Sequence, residues 1–457
     1  MSCWRKNLRI LLPGACMVPW RPADDGSPSK AFRQAVVLAP DARGRAWVSD
    51  DMASPSLVDS RASWIIATAA LCCLGMTFGA PLISTVGLKA IAGEMGGARS
   101  VPALGGSLAW LGSAVGGVMM GRLAHRFGVR WTVMAGSVSV CLGLFISTLG
   151  EPWLLYIGHG VFIGFLGMGG LNAPLYVYVS QWFERRRGSA LALLSSGSYI
   201  AGVVWPLVFE HTISTWGWRA TMMGYGVLEA GVVLVLASRF LRPVADTAVR
   251  AAEHKGGERP TVFGLRPNTV FVMLAGAAFL CCIPMAMPQS HLVALCSDRG
   301  LPAAVGAAML SVLLAAAFIS RQAWGLVADR IGGLRTALIS SVMQAAAVSG
   351  YLYVTEQFGL FTVSIAFGLG FSALIPAYVL AVREAFPAKE AYWRVPSLML
   401  MSGCGMAVGG WLAGYMYDRY ASYDPAFFTG VLTNVANLVL LATLVVLQFR
   451  WMRRATA

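Results

Sequence analysis

The chain has 457 residues, 57% of them apolar and only 12% charged, and its mean hydropathy is +0.65. A soluble domain carries about 25% charged residues, so this chain cannot cover a water-facing surface and suits a lipid bilayer. The net charge of +14 does not imply nucleic acid, because the basic residues fall in short gaps between apolar runs and form no groove interleaved with aromatics.

Residues 1–61 are polar, rich in Lys/Arg, Asp and Pro, and contain no run long enough to span. They read as a disordered extension, with Met52 as an alternative start. From Trp64 onward, apolar stretches recur at the ~20-residue length that crosses a hydrocarbon core of ~30 Å. Six fall near 64–88, 103–123, 131–150, 154–181, 188–211 and 218–240. A polar connection at 241–267 follows, then six more near 268–294, 303–328, 335–354, 359–382, 395–417 and 426–449. The predicted fold is all-α and polytopic, with 12 transmembrane helices in two six-helix bundles, 62–240 and 268–450, a cytoplasmic linker, and a tail at 451–457.

The charges agree with this layout. With both termini cytoplasmic, the inner loops and tail hold twenty Lys/Arg, and the outer loops hold five: Lys89, Arg99, Arg219, Arg299 and Arg419. This is the positive-inside bias of a multi-pass protein in a plasma or inner membrane. Cys72, Cys73, Cys141, Cys281, Cys282 and Cys404 lie inside apolar runs and read as packing residues; no metal-site spacing or disulfide framework is present. No nucleotide-binding or metalloprotease motif occurs, so neither a cofactor nor an enzyme activity is expected.

One motif occurs twice. Gly121-Arg122-Leu-Ala-His125-Arg126-Phe-Gly128-Val-Arg130 follows the second span, and Gly325-Leu-Val-Ala-Asp329-Arg330-Ile-Gly332-Gly-Leu-Arg335 follows the eighth, 204 residues later. Glycines permit a tight turn and arginines anchor the helix ends. Two copies in register indicate a duplicated six-helix unit. Over about residues 60–450 the chain resembles the major facilitator superfamily, whose loops between helices 2–3 and 8–9 carry this pattern. Within it the chain looks most like the monocarboxylate and oxalate:formate porter branch. The carrying residues are Asn172-Ala-Pro174, Trp182-Phe-Glu-Arg-Arg-Arg187-Gly188-Ser-Ala190, Ser196-Gly197-Ser-Tyr199 through Pro206, Gly217-Trp218-Arg219, His291, and Arg321-Gln-Ala-Trp-Gly325. His125 stands where the family has aspartate, which leaves Asp329 as the more credible cytoplasmic gate residue.

Only Arg321 and Glu229 lie deep within apolar spans. A cation there costs on the order of 2.5–3.5 kcal/mol, so it faces a cavity or a partner. The resemblance implies that helix 8 lines a central cavity, where Arg321 would offer its planar fork to a substrate carboxylate. The alternative is a structural arginine satisfied by carbonyls. Asn172 and Tyr199 are candidate polar contacts to that carboxylate, or plain interhelical bonds. His291, with Gln289 beside it near the outer end of helix 7, is a candidate for substrate binding or proton coupling. Glu229 is a second coupling candidate, on a helix the resemblance implies is peripheral. Relatives carry an acid where this chain has Ala317, and a lysine that neither Leu82 nor the eleventh span supplies. A dianion is therefore disfavoured.

These residues predict a secondary active transporter of a small organic anion, a monocarboxylate, driven by protons or exchange and acting as a monomer. The rivals are an exporter of hydrophobic or drug-like compounds and, from another class, a non-transporting membrane sensor.

Overall fold

The computed structural model describes residues 59–183, 187–241 and 261–456, which fall within one compact unit, Ala53–Ala457. The N-terminal extension to 58, Arg185, Arg186, and the linker at 242–260 with its charges lie outside the described residues. Among the described residues there is no strand, only a single antiparallel bridge between Val262 and Leu265. Twelve helical spans follow one another: α1 Arg61–Val86, α2 Ser100–Phe127, α3 Val129–Ser147, α4 Pro152–Gln181, α5 187–216, α6 218–240, α7 Pro267–Asp298, α8 Ala303–Ile331, α9 Gly333–Tyr353, α10 Gln357–Ala385, α11 Ala388–Tyr420 and α12 Asp424–Thr456.

Nine continuous helices among the described residues are long and apolar enough to cross a membrane. One of them, Ser189–Phe240, covers two spans, because it folds back at Gly217 (φ 82°, ψ 162°). A tenth span, α2, is bent by 50° near Val118. The remaining one, α9, falls below the others in hydropathy because Ser340, Ser341 and Gln344 line its buried face. Two of these residues tie α9 to α12: Asn437 Nδ2 donates to Ser341 at 2.8 Å and Asn434 Nδ2 to Gln344 at 2.9 Å, while Tyr378 of α10 donates to the same Asn437 at 2.6 Å.

The duplicated motif has a duplicated geometry. Gly128 ends α2 and starts α3 at φ 89°, ψ 146°; Gly332 ends α8 and starts α9 at φ 84°, ψ 164°. Only glycine occupies this region without strain. The spacing of the two motifs therefore encodes the same reversal in each half.

Several spans are not regular. α1 breaks at Phe78–Gly79, where Pro81 supplies no N–H to the preceding turn. Neighbours take up the carbonyls at the break, with Trp205 Nε1 donating to Gly75 O at 3.1 Å and Tyr225 donating a short bond to Met76 O. α4 is π-helical over Gly158–Met168, and its glycines bring α2 into backbone contact. A Cβ on Gly112 would stand 2.1 Å from Gly160 O, and one on Gly116 2.2 Å from Phe165 O. In the second half, α7 and α11 meet the same way at Gly405 and Gly409, whose Cβ atoms would stand 2.3 Å from Phe279 O and 2.1 Å from Ile283 O. Small residues substitute for a hydrophobic driving force that lipid does not provide.

Gly116→Ala should force α2 away from α4 and destabilise the fold by about 1–3 kcal/mol. Gly231→Ala, whose added carbon meets nothing within 4 Å, should be neutral or slightly stabilising. Thermal unfolding in detergent separates the two, and equal melting temperatures would refute the close packing.

Candidate functional site

The candidate site is built around Arg321. It lies eighteen residues into α8, roughly 27 Å along the helix from its start. One face of α8 meets α5: Leu314 fills the space above Gly202, where an added Cβ would sit 2.0 Å from Leu314 Cδ1. Two turns further along the same face, the Arg321 guanidinium stands 5.1 Å from the Tyr199 ring centroid. Tyr199 packs edge-on against Phe371 of α10 at 6.3 Å, and Ser320 bonds Ser372 at 2.7 Å beside a break in α10.

Arg321 is half-buried, and among the described residues it makes no hydrogen bond or ion pair. Its charge is met there only by the face of Tyr199 and by Tyr176 of α4, which lies within electrostatic reach and shares a hydrogen bond with Ser195. Tyr176 was not singled out in the sequence. The signal was available: it lies four residues from Asn172, hence on the same helical face. Asn172 is half-buried and also has no hydrogen-bond partner among the described residues. Arg321, Tyr199 and Tyr176 thus bring both halves of the chain to one place, with Asn172 one turn from Tyr176 on α4.

The other candidates are elsewhere. Gln289 Nε2 donates to its own helix at Met285 O, 2.8 Å away. His291 is fully buried about two turns from the end of α7, at a different depth from Arg321. Its Nε2 lies 2.8 Å from the Gly410 carbonyl, which can only accept, so the proton is on Nε2 and Nδ1 accepts from the Tyr423 hydroxyl at 3.1 Å. Glu229 is likewise fully buried. On the inward face of α6, it is enclosed within the first half, hydrogen-bonded to Thr77 of α1 at 3.0 Å and Ser137 of α3 at 2.9 Å. Of the loop motifs, Arg122, His125, Arg126, Asp329, Arg330 and Arg335 are exposed. Asp329 forms no ion pair among the described residues, and the Gly333 N–H is capped instead by Glu384 of α10 at 3.0 Å.

The two halves are joined at the opposite end, which the charge pattern places outside. Arg99, only 8% exposed, grips Asp298 of α7 with both terminal nitrogens, one of them at 2.7 Å. Lys89 reaches the same carboxylate at 2.6 Å. Asp418 of α11 accepts from the backbone N–H groups of Arg99 and Ser100 at 2.7 and 2.8 Å, satisfying orphan donors at the start of α2. The Arg99 guanidinium lies 3.6 Å over the Tyr417 ring and donates to the Tyr423 hydroxyl at 3.0 Å. A relay therefore runs from Arg99 through Tyr423 to His291 and Gly410. Behind it, Ser107 of α2 is buried against Gly410. In the first half, the Gly217-Trp218-Arg219 motif braces the same end: Trp218 Nε1 donates to Glu94 at 3.0 Å, Arg219 pairs with Glu94, and Arg219 Nε donates to Thr148 O at 3.0 Å. Arg219 holds the Glu94 carboxyl below the usual carboxylate range.

Twelve spans in two halves, joined at one end, with a span cation that has no ion pair among the described residues, have the architecture of a membrane carrier. The chain belongs to the Major Facilitator Superfamily, whose model matches residues 65–392. Among its relatives, an MFS-type transporter of Aspergillus fumigatus is 25% identical over 386 residues, covering 79% of this chain and 88% of that one. Monocarboxylate transporter 13 of Bos taurus is 24% identical over 350 residues (75% and 79%), and the agnestins efflux protein of Paecilomyces divaricatus is 23% identical over 324 residues (70% and 72%). The fold is shared with the solved nucleoside transporter NupG, at TM-score 0.66 and 13% identity, covering 84% of this chain and 98% of that one. A bacterial homologue of the human lysosomal transporter Spinster follows at TM-score 0.60 and 17% identity (85% and 96%).

Asp298→Asn leaves Arg99 without its counter-charge and should weaken the joined arrangement by on the order of 2 kcal/mol, the partial figure reflecting the 21% exposure of Asp298. A cysteine placed at Ser107, in a background lacking reactive native cysteines, should then react with a thiol reagent about tenfold faster or more. An unchanged rate would show that these bonds do not hold the halves together.

Proposed function

We propose that this transporter moves a small organic anion, a monocarboxylate, with Arg321 as the carboxylate ligand. The observation that carries this reading is a guanidinium deep in a span with no acidic partner among the described residues. Such a group is satisfied by an anion that arrives from outside. Tyr199, Tyr176 and Asn172 supply polar contacts and an aromatic wall from the first half, so binding touches both halves at once. Bundles at 62–240 and 268–450, connected by 241–267, rock about this point in a plasma or inner membrane, with both termini cytoplasmic and the protein monomeric.

Transport is secondary active, by proton coupling or exchange. Ala317 is buried one turn before Arg321, so no carboxylate stands there to carry the proton. The proton travels on the substrate acid, or through His291 or Glu229, each held inside one half. Asp329 and the exposed motif arginines serve as the cytoplasmic gate when that end closes.

A second reading, export of hydrophobic compounds, is favoured by the aromatic surroundings of Tyr199 and Phe371 and by the efflux protein among the relatives. Uptake of labelled carboxylates into proteoliposomes, with and without a pH gradient, distinguishes them. Arg321→Ala should lower uptake about 10- to 100-fold, the value of a hydrogen bond to a charged group, and Arg321→Lys should recover only part. If every acid is taken up equally by Arg321→Ala, the carboxylate reading fails; transport of uncharged apolar compounds by the same variant would support the exporter.

A further inference from the structure

We propose that Glu229 is a proton-binding site: in this arrangement of the helices it holds its proton as a neutral acid, and it gives the proton up when α1 bends at its break. A count of hydrogens carries the assignment. Thr77 Oγ1 lies 3.0 Å from Cys73 O and 3.0 Å from Glu229 Oε1, and a hydroxyl has one hydrogen to give. The Cys73 carbonyl can only accept, so it takes that hydrogen. The contact with Glu229 is then a hydrogen bond only if the carboxyl supplies its own: Oε1–H donates to Thr77 Oγ1, which donates to Cys73 O. Ser137 donates to Oε2 at 2.9 Å, the atom left as the carbonyl oxygen. A neutral acid makes all three bonds, whereas a carboxylate leaves one of them without a hydrogen.

The surroundings favour the same state. Glu229, Thr77 and Ser137 are all fully buried. The other titratable groups that face Glu229 are Cys73 from α1, Cys141 from α3 and Tyr225 from α6, none of which can be a cation. Among the described residues no Lys, Arg or His reaches the carboxyl. A buried carboxylate without a cation is costly enough that the group neutralises instead. His291 has no comparable opening for an extra proton: its Nδ1 accepts from Tyr423, whose hydroxyl already takes a hydrogen from Arg99.

The position of the acid links its proton to a bend. Thr77 is the last residue of the first segment of α1, and the break follows at Phe78–Gly79. Tyr225, one turn before Glu229 on α6, donates to Met76 O. The helix α6 therefore holds the two residues before the break, and the Glu229 hydrogen is one of the two links. When that proton passes to water, Thr77 has to turn its only hydrogen from Cys73 O to the new carboxylate. The charge that remains calls for water that the closed packing excludes, and a bend of α1 at its break admits it. This role in transport rests on the secondary-active reading above; the presence of the proton does not.

Infrared spectroscopy of the full chain in liposomes near neutral pH reads the proton directly. The wild type should show the C=O stretch of a carboxylic acid that is missing from Glu229→Gln, whose amide can make the same two bonds to Thr77 and Ser137. Ser137→Ala removes the donor to Oε2 and should move that band to higher wavenumber. Identical carboxylic-acid bands in the wild type and Glu229→Gln would overturn the assignment; should Glu229→Gln not fold, a band unmoved by Ser137→Ala would do the same. Proteoliposomes read the coupling, as the ratio of labelled-acid uptake with an inward proton gradient to uptake without one. The ratio should fall towards one in Glu229→Gln and keep its wild-type value in Arg321→Lys, although total uptake by the latter is lower. A ratio of one in the wild type, or an unchanged ratio in Glu229→Gln, would overturn the coupling role. Equal uptake of every acid by Arg321→Ala would instead remove the carboxylate ligand and leave the infrared band in place, so the two readings fail separately.

Discussion

Inside a bilayer no water is at hand for a charge or an open hydrogen-bonding group, and this shortage organises the molecule. Each deep polar side chain that has been satisfied by the protein has become a fastener. Glu229 joins α1, α3 and α6; His291 joins α7, α11 and the turn leading into α12; the asparagines of α12 fasten α9 and α10. Arg99 fastens one half to the other. Arg321 departs from this pattern. Its fork faces an aromatic ring and no acid among the described residues.

The same solvent shapes the packing. Apolar side chains gain little by leaving lipid for protein, so close helix contact depends on backbones meeting backbones. The glycine contacts of α2 with α4 and of α7 with α11 meet that need in both halves. They leave few side chains to interlock at these crossings. Such surfaces suit helices that must change their tilt while remaining in contact, and the break in α1 gives a further point at which a span can bend.

The join between the halves is asymmetric. At one end Lys89, Arg99, Asp298, Asp418 and the two tyrosines hold α2, α7, α11 and α12 together, and at the other the motif residues are exposed. In the proposed alternating cycle, the energy of this latch would set how often the other arrangement is seen. Because Tyr423 bridges Arg99 and His291, the latch is connected by two hydrogen bonds to the only buried imidazole of the second half.

Much of this was legible in the chain itself. Apolar run lengths predicted twelve spans, since a fixed hydrocarbon thickness imposes one length on every crossing. The paired motifs predicted the paired reversals at Gly128 and Gly332, because a backbone conformation open to glycine alone leaves a mark in composition. Arg321 was visible as a charge where charge is costly. What tertiary structure decided were the partnerships. Arg99 and Asp298 lie 199 residues apart, and Arg99 and Asp418 lie 319 apart; each reads alone as an ordinary loop charge. Tyr176 reads as one more aromatic in a span, and only the crossing of α4, α5 and α8 brings it to Arg321. Hydropathy and periodicity report what each segment does with its solvent. Which polar group answers which depends on how the segments meet, and that is set by packing across the whole bundle.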